Sequence, residues 1–320
     1  MQQNRKLEPG RIVKFCISAG AFIGILLSRG VARLFDIRRQ PHCMVLYYHS
    51  VPAEFREPFA KQLDTILQHT KPVHPEHTHL LENGERYSLV TFDDGFTNFL
   101  EIALPELVDR KVPSLIFVIT EALGKSFGPP NAPETVMTAE QLRDLPESLV
   151  VIGSHTLTHP YLPDSSEKDA RRELVQSRLT LETLLNKPVP FFSFPYGGIT
   201  PSLVCLCEEA GYSRIYSTLP ACTSFGQTDY CIGRVRVDPW DWPAEFRLKL
   251  AGAYNWLPLA ISLKRLLLGN PLVSSLTGQR FSGATAKVRQ SLIQGQDLTK
   301  ETVPKSISPN PTDLVDNKKR

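Results

Sequence analysis

Short apolar runs recur along the chain and are separated by stretches of helical periodicity. "CMVLYY" (43–48), "YSLVTF" (87–92), "PSLIFVIT" (113–120), "SLVVIG" (148–153) and "PFFSF" (190–194) are the clearest. Their length and their β-branched and aromatic content read as strands. "YSRIYST" (212–218) and "CIGRVRVD" (231–238) add two more. Helical patterns fall at 97–110, near 138–145, over 164–185 with Asp164 and Glu167 as a capping box, and over 201–211. Residues 52–86 read as a loop with one short helix. Strands alternating with helices predict an α/β fold around a parallel sheet, open or closed into a barrel. His49, Asp93, Asp94, His155 and Tyr196 all stand at or just past the C-terminal end of an apolar run. In a βα barrel that end carries the active site.

The chain has 320 residues, 42% of them hydrophobic, which is enough for a sizeable core. A net charge of +3 gives no nucleic-acid footprint. The basic character sits in residues 1–40, where eight Lys/Arg face Glu8 and Asp36. They enclose an uncharged run, "FCISAGAFIGILLS" (15–28), whose fourteen residues would rise about 21 Å as a helix, short of a hydrocarbon core of roughly 30 Å. A membrane anchor or interfacial helix, a signal peptide and an ordinary buried helix all fit. Membrane contact through residues 12–35 is the favoured expectation, with the protein membrane-associated in the cell envelope. Cys222 and Cys231 could bridge a loop, and no CxxC pair suggests a cysteine zinc site. The expected organisation is a basic and apolar segment over 1–40, a catalytic domain over 41–250, an amphipathic helical segment over 251–272 and a disordered tail over 273–320.

Asp93 and Asp94 repel each other and need a cation, a shared proton or open water. "GSHTLTHP" (153–160) sets His155 and His159 four residues apart, which on a helical turn points both imidazoles the same way. Two His and a carboxylate suit zinc or another divalent ion. One aspartate would then bind the cation and its neighbour take a proton from water.

"TFDDG", "HTLTH" and "SFPYGG", in this order and spacing, resemble the polysaccharide deacetylases of carbohydrate esterase family 4, the NodB-homology domain, over residues 43–245. The resemblance implies a distorted (β/α) barrel of 7–8 strands and removal of N-acetyl groups from a surface polysaccharide by metal-activated water. It assigns Asp93 as general base and Asp94, His155 and His159 as ligands of a divalent metal, zinc by preference and cobalt, nickel or manganese otherwise. The Tyr196 backbone N–H after Pro195 would steady the oxyanion, Gly197 would let a sugar approach, and Asp238 and Trp242 of "DPWDW" would wall the groove with Arg236. Two positions depart from the family pattern. Ser193 stands where many members carry an arginine that orients the base, and Arg234 or Arg236 could replace it. The usual late histidine is missing, since all eight histidines lie at or before 159. His49 is therefore expected to be the general acid, as in a subgroup acting on poly-N-acetylglucosamine-type polymers. The implied partner is an N-acetylated polysaccharide or lipid-linked oligosaccharide, with no protein partner inferable. The competing readings are a catalytically inactive carbohydrate binder and a scaffold in a polysaccharide-assembly complex.

Overall fold

The computed structural model describes residues 9–35, 37, 40–226 and 229–267. The expected tail over 273–320 and the end of the 251–272 segment lie outside them. In chain order the elements are α1 (Pro9–Leu34), β1 (His42–Tyr48), α2 (Arg56–His69), β2 (Lys71–Pro72), β3 (Arg86–Phe92), α3 (Leu104–Asp109) and β4 (Ser114–Val118). There follow β5 (Ser126–Phe127), β6 (Glu134–Thr135), α4 (Ala139–Arg143), β7 (Val150–Ser154), α5 (Glu167–Leu185), β8 (Phe191–Ser193) and α6 (Pro201–Glu209). The last are β9 (Arg214–Tyr216), β10 (Cys222–Thr223), β11 (Cys231–Ile232), β12 (Val235–Arg236), α7 (Pro243–Leu250) and α8 (Leu257–Leu267).

The main sheet follows the order β10-β1-β3-β4-β7-β8-β9-β11, with β12 also on β1 and β2 on β3. All its pairings are parallel except β1 with β10. β11 belongs to the far edge, on β9, and β12 to the near edge, on β1. Only Gly233 and Arg234 separate them, so the chain itself draws the two edges together and nearly closes the barrel. Gly233 permits the crossing, because a Cβ there would lie 2.5 Å from the Leu219 carbonyl oxygen.

Alternation along the strands sorts the core into two layers. Cys43, Val45, Leu89, Leu115, Phe117, Val151, Phe191 and Tyr216 point inward and fill the barrel. Met44, Leu46, Tyr48, Val90, Phe92, Ile116, Val118 and Ile152 point outward, under α2, α3 and the other covering helices. The inward parity, carried to the strand ends, reaches His49, Asp93, His155 and Ser193. The barrel interior thus aims these four at its C-terminal mouth.

Three local expectations change. Residues 52–86 carry a 14-residue helix, α2, whose buried Phe59, Leu63 and Ile66 form an apolar stripe that its charged neighbours obscure in the sequence. α5 starts later than expected. Ser166 caps it by accepting from the Asp169 N–H, so Asp164 and Glu167 make no capping box. Cys222 and Cys231 are free thiols in separate strands.

α1 is 26 residues long, far beyond the uncharged run, and Pro9–Ala32 is long and apolar enough to cross a membrane. One side docks on the barrel domain through Phe15, Ala19, Phe22 and Ile25. Arg11 reaches Glu245 at 2.5 Å and lies 4.5 Å above the Trp242 ring, and Trp256 Nε1 donates to Ser18. The other side leaves Val13, Ile17, Ile23, Leu26, Leu27, Val31 and Leu34 exposed.

Candidate active site

β3 ends at Phe92, and the next residue keeps the inward direction. Asp93 is 3% exposed and meets Arg234, which is fully buried. The two guanidinium nitrogens donate to the two carboxylate oxygens at 2.7 and 2.8 Å. The remaining donors go to the Ser217 carbonyl, Thr91 Oγ1 and Ser193 Oγ, so all five guanidinium N–H groups are used. Tyr47 and Phe117 flank the guanidinium at 4.7 and 5.2 Å. Burial alone would push the Asp93 carboxyl up. The charge and hydrogen bonds of Arg234 outweigh it and hold the group down at about 2. Asp93 is an anion at any physiological pH.

Asp94 cannot follow the same parity without leaving the mouth. It takes φ +73, followed by Gly95 at φ +75, and this turn swings its carboxylate back over the barrel. Its Oδ1 lies 3.5 Å from His155 Nε2 and 3.4 Å from His159 Nε2. Burial first, then the charges of Asp93 and Glu134, push this carboxyl up to about 8. Two neighbouring aspartates with opposite shifts answer the charge problem that the sequence poses.

The segment after β7 is not a helical turn. His155 continues the strand direction, and Thr156 and His159 take φ +67 and +63, folding the loop so that the second ring returns beside the first. Glu173, 3% exposed on α5, holds this loop by accepting from the Leu157 and Thr158 N–H groups and the Thr158 hydroxyl, each at 2.9 Å. His155 Nδ1 lies 2.8 Å from the Ser193 carbonyl oxygen, and only an N–H there can make that hydrogen bond, which leaves Nε2 as a free lone pair. Burial lowers both imidazoles, His155 to about 4 and His159 to about 3, so both rings are neutral.

One ligand atom from each of Asp94, His155 and His159 lies within 4.8 Å of the others. Asp94 Oδ1 is sealed from solvent with no hydrogen-bond partner. When ionised, that oxygen faces two neutral imidazole lone pairs, three acceptors with no donor between them, which costs free energy. It suits a divalent cation, which would be bound by a 2-His-1-carboxylate set.

His49 follows β1 on the inward face, with its ring 5.6 Å from Tyr47. Burial lowers its pKa, opposed by the Asp93 charge and helped by Arg236 and Arg234. Tyr196, after Pro195, takes φ +56, and its 69%-exposed ring packs edge-on to His159 at 4.7 Å. Gly197, at φ +69, is the residue this turn requires, since a Cβ would fall 1.8 Å from Thr218 Oγ1.

The fourth motif behaves differently from its expected role. Arg236 pairs with Asp238 at 3.3 Å on the surface, and it is Arg234 that reaches Asp93. Trp242 is taken up by α1, with Arg11 over its ring and Phe15 at 5.9 Å. Sequence reasoning passed over Glu173, whose place among Ala170, Leu174 and Ser177 on the buried side of α5 was its only signal. It also passed over Phe127, whose ring closes on His159 at 5.2 Å from the β5–β6 hairpin.

Comparison with known proteins agrees with this architecture. The sequence model described as polysaccharide deacetylase matches residues 81–215. YxkH of Bacillus subtilis (strain 168), named as a polysaccharide deacetylase, is 29% identical over 156 residues, covering 49% of this chain. The chain spans about half, 53%, of that relative's length. Among solved structures, IcaB from Ammonifex degensii superposes with a TM-score of 0.58 at 25% identity, over 68% of this chain and 98% of that one. The Streptococcus pyogenes deacetylase PplD in complex with acetate shares the fold with a TM-score of 0.54 at 18% identity, over 67% and 98% of the two chains. The order of motifs, the nearly closed barrel and these matches together make the central part of the chain, residues 81–215, similar to the polysaccharide deacetylases.

Proposed function

We propose that this chain is a metal-dependent hydrolase that removes N-acetyl groups from an N-acetylated polysaccharide of the cell envelope. The observation that carries the reading is the pair of opposed aspartates: Asp93 clamped as an anion by Arg234, and Asp94 facing His155 and His159. In this reading Asp94, His155 and His159 hold a divalent cation, with zinc favoured by the donor set. When bound, the ion supplies Lewis acidity to the acetyl carbonyl and acidifies the attacking water.

Asp93 then acts as general base, and Arg234 fixes its orientation as a bidentate fork. The Tyr196 N–H faces the developing oxyanion, in a turn set by Pro195 and Gly197. His49 delivers a proton to the leaving amine. Its pKa lies below the ordinary imidazole range, so its cationic form gives the proton up readily, and the neighbouring Asp93 charge favours that form. Arg236 and Asp238 belong to the substrate rim. Against a non-catalytic relative stands Arg234, which donates to Ser193 Oγ at 2.7 Å while it holds Asp93.

Acetate release from an N-acetylglucosamine oligomer tests the assignment. Turnover should be lost with a chelator, restored by zinc, and lost in Asp93→Asn. Turnover that survives Asp93→Asn would overturn the base assignment.

We further propose that the exposed side of α1 lies in a membrane surface. A helix docked along its length on a folded domain cannot be ringed by lipid, so the interfacial form fits better than a crossing one. Leu26→Asp with Leu27→Asp should abolish flotation with phosphatidylcholine vesicles. Unchanged flotation would refute the lipid-facing reading.

A further inference from the structure

The strands β1 and β3 carry the candidate active site at their C-terminal ends. At their N-terminal ends, between α1 and the turn after α7, lies a cavity of about 950 Å³. Its wall includes Arg29 from α1, Arg86 from the first position of β3, His42 from the first position of β1, and Asn255. Among the described residues of the wall the one acid, Glu85, turns to Lys71 at 3.1 Å.

Arg86 is the anomaly. It is half-buried, its Nε is sealed from solvent without a hydrogen-bond partner, and it forms no ion pair among the described residues. Desolvation lowers its pKa, and the other group acting on it is the Cys222 thiol, itself uncharged. Arg29 lines the same cavity as Arg86. Burying the Arg86 guanidinium without an anion is costly. A phosphate group answers that cost, because a guanidinium fork matches its oxygens. The cavity also opens beside the apolar stripe of α1, where Leu26 stands one turn from Arg29 and is exposed.

We propose that this cavity binds the phosphate headgroup of an anionic membrane lipid, with Arg86 and Arg29 on the phosphate and the acyl chains along α1. The lipid source rests on α1 meeting a membrane; the phosphate site itself does not.

The test uses the full chain with vesicles of phosphatidylcholine alone, and with one-fifth phosphatidic acid. Wild type should bind the second set more tightly. Arg86→Gln should weaken that binding about fivefold while leaving phosphatidylcholine binding unchanged. Arg86→Lys keeps the charge but not the fork, and should lose most of the preference too. Lys14→Gln, which removes an exposed charge from the same helix, should lose less than either. Thermal melts establish that each variant is folded, and removing an unpaired buried cation should not lower them. An Arg86→Lys variant equal to wild type, or a Lys14→Gln loss equal to that of Arg86→Gln, would mean diffuse surface charge and overturn the site. Stabilisation of wild type but not Arg86→Gln by inorganic phosphate, with no preference for phosphatidic acid, would overturn the lipid assignment in favour of free phosphate.

Discussion

Replacing Arg234 with glutamine tests the physical centre of the site. Asp93 is held at about 2 instead of its ordinary 3.8, which corresponds to roughly 2 kcal/mol in favour of the folded anion. Because the folded value is the lower one, that stabilisation is complete above about pH 4. It is lost as pH falls from 4 toward 2. Removing Arg234 leaves a buried carboxylate with no counter-charge and strips partners from Thr91, Ser193 and the Ser217 carbonyl. Breaking a buried pair in this way costs about 3–5 kcal/mol. At about 2–4 °C per kcal/mol, the melting temperature should fall by roughly 10 °C. The pH dependence should also reverse. Burial then raises the Asp93 carboxyl above its unfolded value, so relative to wild type the variant should lose stability as pH rises from 4 to 7. Adding Asp93→Asn should recover part of the loss. Urea denaturation of the four proteins of this cycle, with chelator present, measures the coupling. Additivity within about 0.5 kcal/mol, or an unchanged pH profile in Arg234→Gln, would refute the reasoning.

Other outcomes follow from the same geometry. Glu173→Gln loosens the loop that carries His155 and His159, so divalent-metal affinity should fall about 10- to 100-fold with the barrel still folded; unaltered affinity in a zinc titration would count against its positioning role. Metal binding at pH 7 should expel about one proton, from Asp94 at about 8, since both imidazoles are already neutral. Calorimetry in buffers of differing ionisation enthalpy reads that number, and a value of zero or two would contradict the charge assignment. Gly197→Ala should destabilise by about 1–3 kcal/mol, with partial relief from Thr218→Ala, and a neutral effect on thermal melting would show that the turn can yield.

Much of the site was legible in the sequence because inward parity is a local property. Once "YSLVTF" and "SLVVIG" are read as strands, Asp93 and His155 fall at the barrel mouth. The positive φ angles that turn Asp94 and His159 back toward each other leave little trace in residue type, so the helical-turn reading of HxxxH reached the right pair by the wrong geometry. Arg234 was one of two candidates, and only the crossing from β11 to β12, a long-range event, separates its inward side chain from the outward Arg236. Trp242 has the composition of a sugar platform, but α1, two hundred residues earlier, claims it. α2 was under-read because Arg56, Glu57, Lys61 and Asp64 dilute an apolar stripe that only tertiary packing makes decisive.

Zinc titration of the metal-free chain, with bound metal counted by elemental analysis, addresses the core of this account. Wild type and Asp93→Asn should each hold one equivalent, and Asp94→Ala and His155→Ala should hold none. One equivalent retained by Asp94→Ala, or a loss in Asp93→Asn as complete as in His155→Ala, would contradict the division of labour between the two aspartates.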